Sequence, residues 1–300
     1  MNRKLLGLVG ILLLVASSCK LQTGEKQIDS TGSYYLHIAE GGVKAFLNYP
    51  APHQMQISAH RGGGDYEGYP ENCIASFEFI LQNTPAMIEC DVRSTADGVL
   101  VLLHDDDLDR TTTGTGKLEN KTWKEIKKLK LKDNLGNVTD YTIPTLEEAL
   151  LWTKGKTMLS LDVKRKISFE KVIETVKKTQ TQDYVNIITY TVDAAKKVHK
   201  LAPDLMISCT IRNDYEFQQY NSCGIPWDNI IAFVGTKEPQ ESLYKTLHEK
   251  GVLCILGAIG NLDRSAKSKG DKFYRNFMSR GADIIATDRP LEASKAIRKE

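Results

Sequence analysis

Two stretches of this 300-residue chain alternate apolar with polar or ionisable residues: Ile88-Glu89-Cys90-Asp91-Val92-Arg93 and Leu159-Ser160-Leu161-Asp162-Val163-Lys164. Alternate side chains of a strand share a face. Glu89, Asp91 and Arg93 therefore fall together, as do Asp162 and Lys164. Carboxylates crowded inside a fold repel one another and resist losing water. A divalent cation removes both penalties, and three hard oxygen donors suit Mg²⁺ or Ca²⁺. The expected metal ligands are Glu89, Asp91 and Asp162.

Two histidines flank these acids, in His60-Arg61-Gly62 and His104-Asp105. The Asp97-Gly98 pair predicts a two-residue hairpin turn. In that register Asp91 lies opposite His104, within cross-strand reach. Imidazole exchanges protons near neutral pH. In-line cleavage of a phosphodiester needs a base for the nucleophile and an acid for the leaving oxygen. A cation and Arg61 would neutralise charge on the phosphoryl oxygens. The expected general acid/base pair is His60 and His104.

These residues need a scaffold that brings their strands to one rim. Strands are predicted at 56–62, 87–94, 158–164, 185–190, 205–211, 230–235, 252–258 and 283–287. Helices are predicted at 71–82, 145–153, 169–178, 192–201, 238–250 and 270–280. This alternation predicts parallel strands with crossover helices. Eight such units imply a (β/α)8 TIM barrel, whose sites lie at the C-terminal ends of the strands. A doubly wound open sheet is the alternative. The pattern breaks at about 109–143, read as a small insertion after the second strand with a short helix at 123–130. It holds seven lysines between Lys117 and Lys132.

Basic residues number 40 and acidic residues 38. Arg3 and Lys4 account for the excess, so the chain from Cys19 onward is neutral. That balance argues against a nucleic-acid partner, and nothing in the sequence points to a protein partner. Arg3 and Lys4 precede an apolar run, Leu5 to Ala16, as in a signal peptide. The run is shorter than the roughly 20 residues of a membrane span. Ala16-Ser17-Ser18-Cys19 is similar to a bacterial lipobox. The resemblance implies cleavage after residue 18 and lipidation of Cys19, which would anchor the chain to a membrane of the bacterial cell envelope, on its periplasmic or outer-membrane side. Residues 19–55 read as a tether and N-terminal segment, and 56–300 as the catalytic domain. Cys73, Cys90, Cys209, Cys223 and Cys254 form no CxxC pair, so they read as buried thiols rather than zinc ligands.

Over about residues 56–296 the sequence resembles the glycerophosphodiester phosphodiesterase family. The resemblance rests on His60-Arg61-Gly62, Pro70-Glu71-Asn72, Glu89-Cys90-Asp91, Asp97-Gly98, His104-Asp105 and Arg110-Thr111-Thr112. It continues in Ile143-Pro144-Thr145-Leu146-Glu147-Glu148 and Thr287-Asp288-Arg289-Pro290. It implies metal-dependent hydrolysis of small glycerophosphodiesters to glycerol 3-phosphate and an alcohol. It also implies phosphate contacts from Arg61 and Lys164, and support of the first loop or metal shell from Asn72. Three positions depart from the family pattern: Asp162 stands for Glu, Cys73 for Thr, and the seventh strand lacks a tryptophan. A phospholipase C-like or sphingomyelinase-like enzyme on the same barrel is the second reading, and a non-catalytic phosphate-binding lipoprotein the third.

Overall fold

The computed structural model describes residues 32–36, 38, 42–47, 49 and 56–298. Cys19, the signal segment and most of the tether lie outside them. Eleven strands occur among these residues: β1 Ile57–Ala59, β2 Met87–Ser94, β3 Leu100–Leu102, β4 Lys130–Lys132, β5 Val138–Thr142, β6 Leu159–Val163, β7 Val185–Thr189, β8 Met206–Thr210, β9 Ile230–Phe233, β10 Cys254–Gly257 and β11 Ile284–Thr287. The helices are α1 Gly42–Phe46, α2 Ile74–Asn83, α3 Trp123–Ile126, α4 Leu146–Thr153, α5 Phe169–Thr179, α6 Val192–Leu201, α7 Asp214–Asn221, α8 Glu241–His248, α9 Asn261–Lys269, α10 Lys272–Ser279 and α11 Pro290–Arg298.

Eight strands are parallel, in the order β1-β2-β6-β7-β8-β9-β10-β11, and β11 pairs back with β1. This is the closed (β/α)8 barrel that the alternation predicts, and not an open sheet. Period-two alternation divides each strand between two cores. Ile88, Cys90, Val92, Leu159, Leu161 and Val163 face outward into the layer beneath the helices. Met87, Met158, Met206, Ile231, Leu253 and Ile284 fill the N-terminal end of the barrel interior, where Leu36, Val43 and Leu47 cover it. Removing this apolar surface from water contributes about 25 cal/mol per Å². Beside and above this plug the inward side chains turn polar, from Asn186, Ser160 and Ser208 in mid-barrel to the charged groups at the C-terminal rim.

β3 pairs antiparallel with β2, but not in the predicted register. Val92 faces Leu102 and Ser94 faces Leu100, so Asp91 meets Leu103 and not His104. The turn has three residues rather than two. Thr95 closes it, bonding Val99 through both backbone and hydroxyl, and Gly98 takes φ +84°, as three-residue hairpin loops require. Asp97 is drawn outward to accept from the Trp123 amide at 2.9 Å. That bond ties the turn to the insertion and selects the longer loop.

The insertion contains the short helix α3 within the predicted span, and also an unpredicted hairpin of β4 and β5. Leu108, Leu118, Ile126, Leu131 and Ile143 give it a small core shared with Cys73, Val101 and Leu103. Helices α7, α9 and α11 were likewise not expected from the sequence. No described helix is long and apolar enough to cross a membrane.

Candidate active site

Strands β2 and β6 bring the acids together, and the end of β1 sets His60 beside them. Asp91 and Asp162 are direct neighbours in the parallel register of β2 and β6. Glu89, Asp91 and Asp162 are all buried, and one carboxylate oxygen from each lies within 4.8 Å of the others. Desolvation, reinforced by the charge of Asp91, pushes the Glu89 carboxyl up to about 8. Burial also opposes ionisation of Asp91, but Lys164 and Arg61 overcome it and hold the group below the usual carboxylate range. Lys164 Nζ lies 2.6 Å from Asp91 Oδ1 and also donates to Asp162 Oδ2. Asp162 Oδ1 is buried with no hydrogen-bond partner. A buried acceptor left unmade is costly. Three hard donors and one vacant oxygen fit a divalent cation.

The first loop is shaped around this cluster. Arg61 and Asn72 both adopt φ +55°, a strained conformation for residues with side chains. Their strain is offset by specific bonds. The Arg61 amide donates to Glu89 Oε2 at 2.9 Å, and the Asn72 amide donates to the Arg61 carbonyl at 2.8 Å. The Asn72 side chain donates to Asp91 Oδ2 and accepts from the Asp91 amide. Asn72 thus serves both the loop and the acid cluster. Arg61 Nη1 binds Glu71, while its Nε is buried, 3.5 Å from Asp91 and without a hydrogen bond.

His60 Nδ1 lies 2.6 Å from Asp288 Oδ1, which directs Nε2 toward Glu89 Oε2 at 3.9 Å. Burial opposes the imidazolium, yet Asp288 and Glu89 carry its pKa above the ordinary histidine value. His104 lies beyond the end of β3, with Nδ1 2.7 Å from Asp105 Oδ1. Asp105 is gripped by Arg110, whose guanidinium also forks onto both oxygens of Glu71. Hydrogen bonds therefore run from His104 through Asp105, Arg110 and Glu71 to Arg61. Arg93, on the acid face of β2, turns outward to the His104 carbonyl and Asp106. A cavity of about 790 Å³ opens beside Asp162 and Lys164, with Ile167, Phe169 and Ile188 in its wall and Arg93 and Lys166 at its edge.

The structure thus gathers Glu89, Asp91, Asp162, Lys164, Arg61, Asn72 and His60, and links His104 to them through side chains. Asp288, Asp105, Glu71 and Arg110 carry no role in the sequence reading. Their only signal was membership in the family-like segments. Residues 60–230 match the model of the glycerophosphoryl diester phosphodiesterase family.

The chain belongs to that family.

The enzyme is a phosphoric diester hydrolase, and two bacterial relatives match it along nearly their whole lengths. It is 35% identical over 262 residues to a glycerophosphodiester phosphodiesterase of Caldanaerobacter subterraneus, covering 81% of this chain and 98% of the relative. With one from Bacillus altitudinis the identity is 30% over 254 residues, covering 82% and 98%. A crystal structure of a glycerophosphoryl diester phosphodiesterase from Parabacteroides distasonis superposes with a TM-score of 0.83 at 38% identity, covering 88% of this chain and 93% of that one.

Proposed function

We propose that the enzyme hydrolyses glycerophosphodiesters to glycerol 3-phosphate and an alcohol, with a divalent cation and two histidines. The observation that carries this reading is the buried trio Glu89, Asp91 and Asp162 with its vacant Asp162 Oδ1, beside an imidazole held by a carboxylate. Those three acids would hold Mg²⁺ or Ca²⁺, which when bound supplies a Lewis acid for the phosphoryl oxygens.

The chain's own residues do the rest. Arg61 presents an unpaired Nε and Lys164 a half-buried ammonium to the phosphate. Each histidine bonds a carboxylate through Nδ1, which leaves Nε2 for the substrate. One imidazole takes the proton of the attacking oxygen, and the other donates one to the departing alkoxide. The wall of Ile167, Phe169 and Ile188 sheds water from the face that receives the substrate. The lipobox-like residues support attachment of the enzyme to the cell envelope through Cys19. Replacement Cys19→Ser would then release it from the membrane fraction.

The decisive experiment assays glycerophosphocholine and glycerophosphoethanolamine hydrolysis by the chain from residue 20. Mg²⁺, Ca²⁺ and a chelator are compared. Turnover with a cation that stops on chelation is expected. No turnover with any cation would overturn the reading.

A further inference from the structure

We propose that Asp263, in the first turn of α9, is a positioning residue for the reaction: its carboxylate fixes Asp288, and Asp288 in turn orients His60. This rests on the reading of His60 as an acid/base group.

Asp288 follows β11 directly, and its side chain is 41% exposed. Packing alone does not fix such a carboxylate, although it must meet His60 Nδ1 at 2.6 Å. Its backbone is held instead. The Asp288 amide donates to Asp263 Oδ2 at 2.9 Å. On the other side, a Cβ at Gly64 would stand 2.0 Å from the Asp288 carbonyl oxygen, so only glycine allows the first loop to lie against that peptide. Arg289, the adjacent cation, is turned to Asp271 at 2.6 Å, which leaves the Asp288 carboxylate to His60.

Asp263 is itself anchored well enough to act as a reference point. It is buried. Oδ1 accepts from the Thr287 hydroxyl at 2.7 Å and the Tyr274 hydroxyl at 2.8 Å, and its amide donates to the Ala258 carbonyl at 2.7 Å. Two hydroxyls would satisfy one oxygen of a carboxylate that only braced α10 against β11. The second oxygen is spent on the one peptide whose side chain holds His60. Misplacing a reacting group by about 1 Å can cost on the order of 100-fold in rate.

The test is a double-mutant cycle on the metal-loaded enzyme, with Asp263→Asn, Asp288→Asn and the pair. Asp263→Asn is isosteric but replaces an acceptor facing the Asp288 amide with a donor or leaves the hydroxyls unmatched. We expect kcat to fall about 10-fold or more, KM to stay within about twofold, and the double variant to be no slower than Asp288→Asn alone. Unchanged kcat in Asp263→Asn, or a double loss equal to the product of the single losses, would overturn the proposal. The His60 Nδ1 proton resonance reads the same geometry without turnover. It should be present in the wild type, absent in Asp288→Asn and displaced in Asp263→Asn. An undisplaced resonance would equally refute the assignment. If wild-type turnover is absent, the catalytic reading fails, while this resonance still decides the geometry. Should Asp263→Asn not fold, Thr287→Val removes one donor to the same carboxylate. A smaller fall in kcat with a displaced resonance supports the proposal, and neither change opposes it.

Discussion

His60 and Asp288 stand 228 positions apart in sequence and 2.6 Å apart in space. His104 repeats the relationship with its own neighbour Asp105, at 2.7 Å. The two carboxylates differ in what else holds them. Asp105 is shared with Arg110, whereas Asp288 is fixed through its backbone. Both arrangements commit Nδ1 and leave Nε2 available, as proton exchange at a substrate requires.

Replacing either histidine should therefore cost chemistry more than binding. His60→Ala and His104→Ala are each expected to lower kcat by roughly 10²–10⁴-fold, with KM changed far less. Steady-state kinetics on glycerophosphocholine with saturating cation checks this. A variant that retains wild-type kcat would remove that histidine from the mechanism.

Glu89 gives the metal-free protein a particular pH dependence. Its carboxyl rises from 4.5 to about 8 on folding, so the folded state binds more protons than the unfolded one between those values. Stability from this group is present below about 4.5 and falls as pH rises toward 8. A bound cation reverses the sign, because it requires the ionised carboxylate and releases the proton. Thermal melts should show Mg²⁺ or Ca²⁺ stabilising the wild type more at pH 8 than at pH 6. Glu89→Gln should melt higher than the wild type without metal at pH 8, and gain little from the cation. Equal melting of the two metal-free proteins across this range would contradict the account.

The barrel was legible because parallel strands buried on both sides leave continuous apolar runs such as Ile230–Phe233. The acid cluster was legible because period two is rigid. Asp91 and Asp162 had to point inward once Cys90 and Leu161 pointed out. Helix α9 was not, since NLDRSAKSK buries little beyond Ala266 and Asp263. Strand β5 is exposed along most of its length, so no apolar alternation marks it. The hairpin register turned on the Thr95 hydroxyl and the reach of Asp97 to Trp123, two side-chain bonds that an Asp-Gly dipeptide does not encode. Asp288 was invisible as a partner of His60 because the contact is made only when β11 closes against β1.

Arg110 joins the supports of the two histidine-bearing loops, and its planar fork is what allows it. It meets Glu71 through two nitrogens and Asp105 through two contacts. A lysine keeps the charge but not the fork. Arg110→Lys should lower kcat, on the order of tenfold, by loosening His104 through Asp105. It should also alter the acid limb of stability. The Arg110 bonds hold the Asp105 carboxyl well below the usual range, so their contribution is full above the ordinary carboxylate pKa and lost as pH falls through the acid range. Melts between pH 3 and 7 should show a shallower acid dependence in the variant. An unchanged slope would show that the bonds contribute nothing measurable.

The cysteines provide a test of packing that does not depend on catalysis. Cys73, Cys90, Cys209 and Cys254 are buried, while Cys223 is half-buried beside the cavity between α6 and α7. Only the thiolate reacts with alkylating reagents. Burial pushes the Cys209 thiol up to about 12, so at pH 8 roughly one part in ten thousand is ionised. Burial raises Cys73, and desolvation beside carboxylates raises Cys90 and Cys254 further. Iodoacetamide at pH 8 should therefore add one label to the native chain from residue 20, on Cys223, and five after unfolding in guanidinium. Intact-mass spectrometry followed by peptide mapping reads both numbers. Rapid native labelling of Cys90 would mean that β2 does not hold it in the layer beneath the helices. The inward direction of Glu89 and Asp91 would then be wrong as well, because the three residues share one alternation.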